Sequence, residues 1–163
     1  MKQPRFIQTL AVALTTTCLA TAGWATPINY QESVSGDLST SNPLTTFTLD
    51  IGTNTVSGTT GFLANGFADT DSFAYVVPSG MIVVSLGFSM TDSSSNVLDF
   101  ANAHWNIFGG STSFNTGTQL GILVLASPGS GSFAGVPLGA GSYNISASSI
   151  TGSAAIGQNT GDY

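Results

Sequence analysis

Hydrophobic residues along this chain recur mainly with a period of two, the spacing of a strand, and no stretch beyond the N-terminal region carries a helix-length apolar face. The clearest stretch is MIVVSLGFSM, Met81 to Met90. Ile82, Val84, Leu86, Phe88 and Met90 fall on one face, and Val83, Ser85, Gly87 and Ser89 on the other, which predicts a strand with a single core side. Just upstream, SFAYVV sends Phe73, Tyr75 and Val77 one way and Ser72, Ala74 and Val76 the other. Pro78-Ser79-Gly80 lies between the two. Proline presets one turn torsion and glycine accepts positive φ, so a tight hairpin is predicted there.

Shorter strand candidates follow the same rule. They are INYQESV from Ile28, TFTLDI through Phe47, Leu49 and Ile51, NTVSG, and HWNIF with Trp105 and Ile107 on one side. SYNISASS places Tyr143, Ile145 and Ala147 together. QLGILVLA, Gln119 to Ala126, is apolar on both faces and reads as a central, covered strand. Thr91 to Asn96 and Ser127 to Gly135 read as surface loops. About 7 to 9 short strands with no credible helix predict an all-β fold, a single jelly-roll-like β-sandwich. No fixed-period repeat points to a propeller or solenoid.

The N-terminus departs from this pattern. MKQPRFIQTLAVALTTTCLATAGWA has a basic start at Lys2 and Arg5, an apolar and threonine-rich stretch from Phe6 to about Ala20, and small residues through Ala25. That is the plan of a secretory signal peptide, residues 1–25, with a cut after Ala25 and Ala22 as the rival site. The apolar stretch falls short of the roughly 20 residues a bilayer span requires. Cys18 follows Thr17, where a lipoprotein signal wants Gly, Ala or Ser. Cleavage removes this only cysteine, and with it disulfides and thiol chemistry. It also removes both basic residues, leaving residues 26–163 as one domain whose sole titratable base is His104. Such a surface repels nucleic acid and anionic lipid, lacks phosphate clamps, and has no GxxxxGK[ST] loop. Nucleic acid, nucleotides and a membrane span in the mature chain are therefore not expected.

Several segments, in order, resemble the bacterial pre-peptidase C-terminal (PPC) domain group, in the variants found in exported proteins with a PEP-CTERM sorting tail. They are YQESVSGDLS, LDIGTNTVSGTTG, ADTDSFAYVVPSGMIVVSL, PLGAGSYNIS and the closing GDY. The features carrying the resemblance are the D-x-D-x-F entry to a strand, the P-x-G turn and the L-G-A-G-x-Y entry to a late strand. It implies a non-catalytic jelly-roll module at a bacterial surface or outside the cell, with calcium or an extracellular polymer among the ligands of relatives. In that pattern Gly161-Asp162-Tyr163 leads into one more apolar strand, and a Pro-Glu-Pro sorting motif follows; neither is found in this sequence.

Asp69 and Asp71 are the first candidate site. Two apart on an extended chain, they point the same way about 7 Å apart, with no basic side chain to neutralise them. One reading gives them a Ca²⁺ ion, with Asn65 and backbone carbonyls completing an oxygen shell. The other has them accept hydrogen bonds from turn amides before a strand. Asp37 reads as a further turn aspartate, and Asp92, Asn96 and Asp99 as a second oxygen-rich group. Trp105 and Tyr30, with Phe108 and Tyr143, form either core or a flat platform for sugar rings. His104 beside Trp105 reads as structural. A secreted hydrolase has least support, since no G-x-S-x-G elbow occurs. The expected function is an exported interaction or structural module that meets extracellular polysaccharide or surface proteins; a carbohydrate-binding module is the alternative. Intact mass of the exported protein is expected to place its first residue at Thr26, and a product that still starts at Met1 would refute the leader.

Overall fold

The computed structural model describes residues 12–17, 26–39, 41–62, 68–69, 71–92, 100–125, 129–152 and 160–162. Strand accounts for 57% of it and helix for one four-residue turn, so the fold is all-β. In chain order the elements are β1 (Val12–Thr17), β2 (Asn29–Gln31), α1 (Glu32–Ser35), β3 (Thr45–Thr48), β4 (Gly52–Ser57), β5 (Thr59–Phe62), β6 (Ala68–Asp69), β7 (Ser72–Val77), β8 (Ile82–Asp92), β9 (Phe100–Gly109), β10 (Thr118–Leu125), β11 (Gly129–Ser132), β12 (Gly141–Gly152) and β13 (Thr160–Asp162). The larger sheet runs β2-β4-β1-β8-β13-β5-β6, with β11 on β8; the smaller runs β10-β9-β12-β7-β3. Pairing is antiparallel except for β2 with β4 and β3 with β7. Among the described residues no helix is long and apolar enough to cross a membrane.

One core joins the sheets. Val56, Val83, Leu86 and Phe88 come from the larger sheet, and Phe73, Tyr75, Val77, Trp105, Ile107 and Ile145 from the smaller. Phe88 and Trp105 meet across the interior with ring centroids 5.7 Å apart. Trp105, Ile107 and Ile145 are fully buried, as their alternation predicts. Each fully buried large apolar side chain contributes about 1.5–3 kcal/mol relative to exposure.

Four departures from the sequence pattern have physical causes. Ile28 to Val34 is not one strand: β2 stops at Gln31 and α1 follows. Pro78 to Met81 does form a turn, with Met81 N–H donating to Pro78 C=O at 3.1 Å. It joins different sheets, however, because β12 and β3 already occupy both edges of β7. The expected loop at Ser127 to Gly135 contains β11, whose Gly131 lets Leu123 and Leu125 approach: a Cβ there would lie 2.8 Å from Leu125 Cδ2. β10 is an edge strand instead of a central one, and Leu120, Ile122 and Val124 on its outer side are 40–53% exposed.

The core face of β8 also changes phase. Val83 is buried while Ile82 and Val84 are 43% and 39% exposed, and at Leu86 and Phe88 the expected face is restored. The cause is a register shift against β1, where Thr15 faces Ser85 but Thr16 faces Val83. One extra residue swaps the faces of everything before it. The expected outcome of alanine substitution follows: Val83→Ala costs about 1.5–3 kcal/mol and Val84→Ala stays within about 0.5 kcal/mol, as measured by urea unfolding. The unbroken alternation of the sequence predicts the opposite order.

Candidate metal centre

A short loop brings two carboxylates, Glu32 and Asp37, to meet a third. Asn54, buried on β4, fixes where it starts: its Oδ1 accepts from Ile28 N–H at 3.0 Å and Asp50 N–H at 3.2 Å, and its Nδ2 donates to Asp50 C=O at 2.8 Å. Thr55 N–H donates to Ile28 C=O at 2.8 Å, and Ser57 Oγ to Tyr30 C=O at 3.0 Å, which holds β2 parallel to β4. The chain then coils through α1 and stops at Gly36, whose φ of 102° suits glycine and whose N–H donates to Glu32 C=O at 3.0 Å. This single turn brings Asp37 back beside Glu32. Glu32 Oε1 accepts from Leu38 N–H at 2.7 Å, and Leu38 is anchored in the core at 1% exposure.

Asp71 arrives from the other sheet, one residue before β7. It is completely buried, whereas Glu32 is half-buried and Asp37 exposed. One oxygen from each of the three acids lies within 4.8 Å of the others. At that spacing two like charges repel by about 1 kcal/mol in water and about 3–4 kcal/mol at an effective dielectric of 20. The sequence has no lysine or arginine after Arg5 to offset this. Hard divalent cations favour six to eight oxygen ligands, and three carboxylates converging from two segments supply a large share of such a set.

Asp71 thus sits in an acidic group with Glu32 and Asp37. Asp69 lies in β6 opposite Gly61; its side chain, like Asn65, is outside the described residues. So are the side chain of Asp92, which lies in β8, and Asn96 and Asp99. Glu32 had no role in the sequence reading, and Asp37 only that of a turn residue. The local signal was present in ESVSGD, an acid pair five apart with glycine between, but the parallel β3–β7 pairing that carries Asp71 to it joins distant segments.

Tyr30 and Trp105 do not make a sugar platform. Trp105 is 0% exposed and its ring faces Phe88, so it offers no face to a ligand. Tyr30 packs its ring on Phe47 at 5.1 Å and donates its hydroxyl to Gly36 C=O, bracing the acidic loop. Tyr143 stacks on Tyr75 at 5.2 Å and donates to Gly139 C=O at 2.9 Å. His104 is half-buried on β9, opposite Val124. Comparison with family models, curated proteins and solved structures returned no match.

Burial, reinforced by the charges of Glu32, Asp37 and Asp71, holds the Tyr30 hydroxyl above its usual 10.0. Burial likewise raises Tyr75, with Tyr143 adding to it, and raises Tyr143 itself. A folded-state value above the unfolded one gives stability that is complete below pH 10 and is lost as pH climbs through the folded value. Stepped-pH urea unfolding is therefore expected to show stability falling above about pH 10. Tyr30→Phe is expected to remove part of that slope.

Proposed function

We propose that this chain is an exported, non-catalytic β-sandwich module acting as an interaction or structural domain at a bacterial surface or in the extracellular matrix, with Glu32, Asp37 and Asp71 taking up a calcium ion. The convergence of three carboxylates within 4.8 Å, one fully buried, in a chain without a lysine or arginine after Arg5 carries this reading. Like charges this close repel, and a divalent ion would offset all three at once. The all-β, two-sheet core and the order of the sequence motifs support kinship with the PPC group and its jelly-roll topology. The leader-like N-terminus supports export, and the burial of Trp105 favours a structural role over sugar binding.

Calcium titrated calorimetrically into EDTA-treated protein is expected to bind at one site. At about one hundred times Kd it should add about 2.7 kcal/mol to stability. Asp37→Asn should then change sign with conditions: stabilising in EDTA, where it relieves repulsion, and destabilising in calcium, where it removes a ligand. Bound calcium should also lower the Tyr30 titration towards its ordinary range, read by near-ultraviolet absorbance. Absence of heat together with an unchanged melting temperature would exclude the cation.

A further inference from the structure

Two strands of the larger sheet lie end to end in one lane. β13 pairs β5 on one side, from Thr160↔Gly61 to Asp162↔Thr59, and β8 on the other, with Asp162 opposite Thr91. β1 pairs β4, from Val12↔Val56 to Thr16↔Gly52, and β8, from Ala13↔Gly87 to Thr17↔Ile82. Only Gly58 separates β4 from β5, so these two strands form one wall of the lane and β8 forms the other. Both β1 and β13 run antiparallel to both walls, hence in the same direction. The registers agree: the positions opposite Ser57 and Gly58 separate Val12 from Asp162 on one wall, and those opposite Ser89 and Met90 do so on the other.

The segment filling the lower half of this lane is part of the leader. A cut after Ala25 severs β1 from the domain and leaves β4 and β8 two strand spacings apart, roughly 9–10 Å. Each wall then presents a row of backbone N–H and C=O groups without a strand to pair them, which is a template for another chain. The walls carry core residues: Val56 on β4, and Val83 and Leu86 on β8, are all buried. Neither Gly52–Ser57 nor the facing stretch of β8 from Ile82 to Ser89 contains a charged residue.

We infer that the space between β4 and β8 is a receptor for an extended peptide strand donated by a separate polypeptide once the leader has been cut away. This inference rests on the export reading above. The walls dictate the chemistry of the donor. It is about six residues long and runs in the direction of β13. It has no proline, because its N–H groups face walls on both sides. It has no charge, because no opposite charge on either wall would meet it. Affinity comes from two ladders of main-chain hydrogen bonds instead of the single ladder of ordinary strand addition. The register shift at Val83 and Ser85 restricts which donors fit along the whole length.

The test uses exported protein whose mass shows a start at Thr26, and an acetylated peptide with the sequence of residues 11–17, AVALTTT. Saturable one-to-one binding and a higher melting temperature are expected. Amide exchange at the lane-facing N–H groups of 52–56 and 82–87, which leaves out Thr55 and Val83 because they already donate to Ile28 and Leu138 C=O, should slow roughly tenfold with the peptide at about ten times its Kd. A peptide carrying Leu14→Pro should not bind, and the uncut chain from Met1 should not respond. If the cut chain is unfolded alone, recovery of its strand signal in far-ultraviolet circular dichroism on adding peptide is the same positive result. Self-association that the peptide reverses supports the inference with a second copy as donor. A folded product starting at Thr26 that ignores the peptide, with those amides already protected, overturns this inference alone. An exported product starting at Met1 keeps β1 in its lane and overturns the cleaved-leader reading together with this inference.

Discussion

Negative charge far in excess of basic side chains is the constraint around which this protein is arranged. Eight acids share a chain whose only lysine and arginine lie within its first five residues. Most globular proteins settle such charges with ion pairs. Here backbone amides answer part of the charge. Glu32 accepts from Leu38 N–H, and Asp50 does the same for Ile51 N–H at 2.7 Å. Asp71 meets Glu32 and Asp37 with one oxygen of each within 4.8 Å of the others, the densest gathering of negative charge among the described residues.

Neutral polar groups carry the burden elsewhere. The outer side of the smaller sheet buries Asn144 and Ser146 completely. Asn144 Nδ2 donates to the carbonyls of Ser111 and Thr116 at 3.1 and 2.9 Å, and Ser146 Oγ donates to Asn115 Oδ1. The connection from β9 to β10 is thereby fastened over the sheet by hydrogen bonds rather than by apolar contact. Such a cover is specific, since each polar group left unmatched in a buried setting costs about 1–3 kcal/mol. Ser72 and Ala74, paired with Ser146 and Asn144 on the neighbouring strand, are buried as well.

The all-β class and much of the core were legible because alternation survives wherever a strand has one covered face. Trp105, Ile107 and Ile145 sit where their spacing puts them. Legibility failed where a non-local partner decides the outcome. The reversal at Val83 depends on a shift against another strand, which no local pattern encodes. The apolar run of β10 implies cover on both faces, yet its place at an edge is a property of the sheet order. At the acidic site, Asp71 was visible from the absence of cations, while its company depends on a parallel pairing between segments far apart in sequence. Glu32 was overlooked because Ile28 to Val34 reads as one strand, and in a strand it would point away from Asp37.

The edge formed by β10 governs how copies of this protein behave in solution. It is eight residues long, carries no lysine, proline or acid, and exposes Leu120, Ile122 and Val124. Natural sheets usually blunt such an edge with charge. What keeps the molecules apart is instead the overall negative charge, −6 for the sequence at neutral pH, a long-range repulsion that salt shortens to about 8 Å at physiological ionic strength. Colloidal stability therefore depends on the medium: dilute buffer keeps the particles dispersed, and brine lets their bare margins touch.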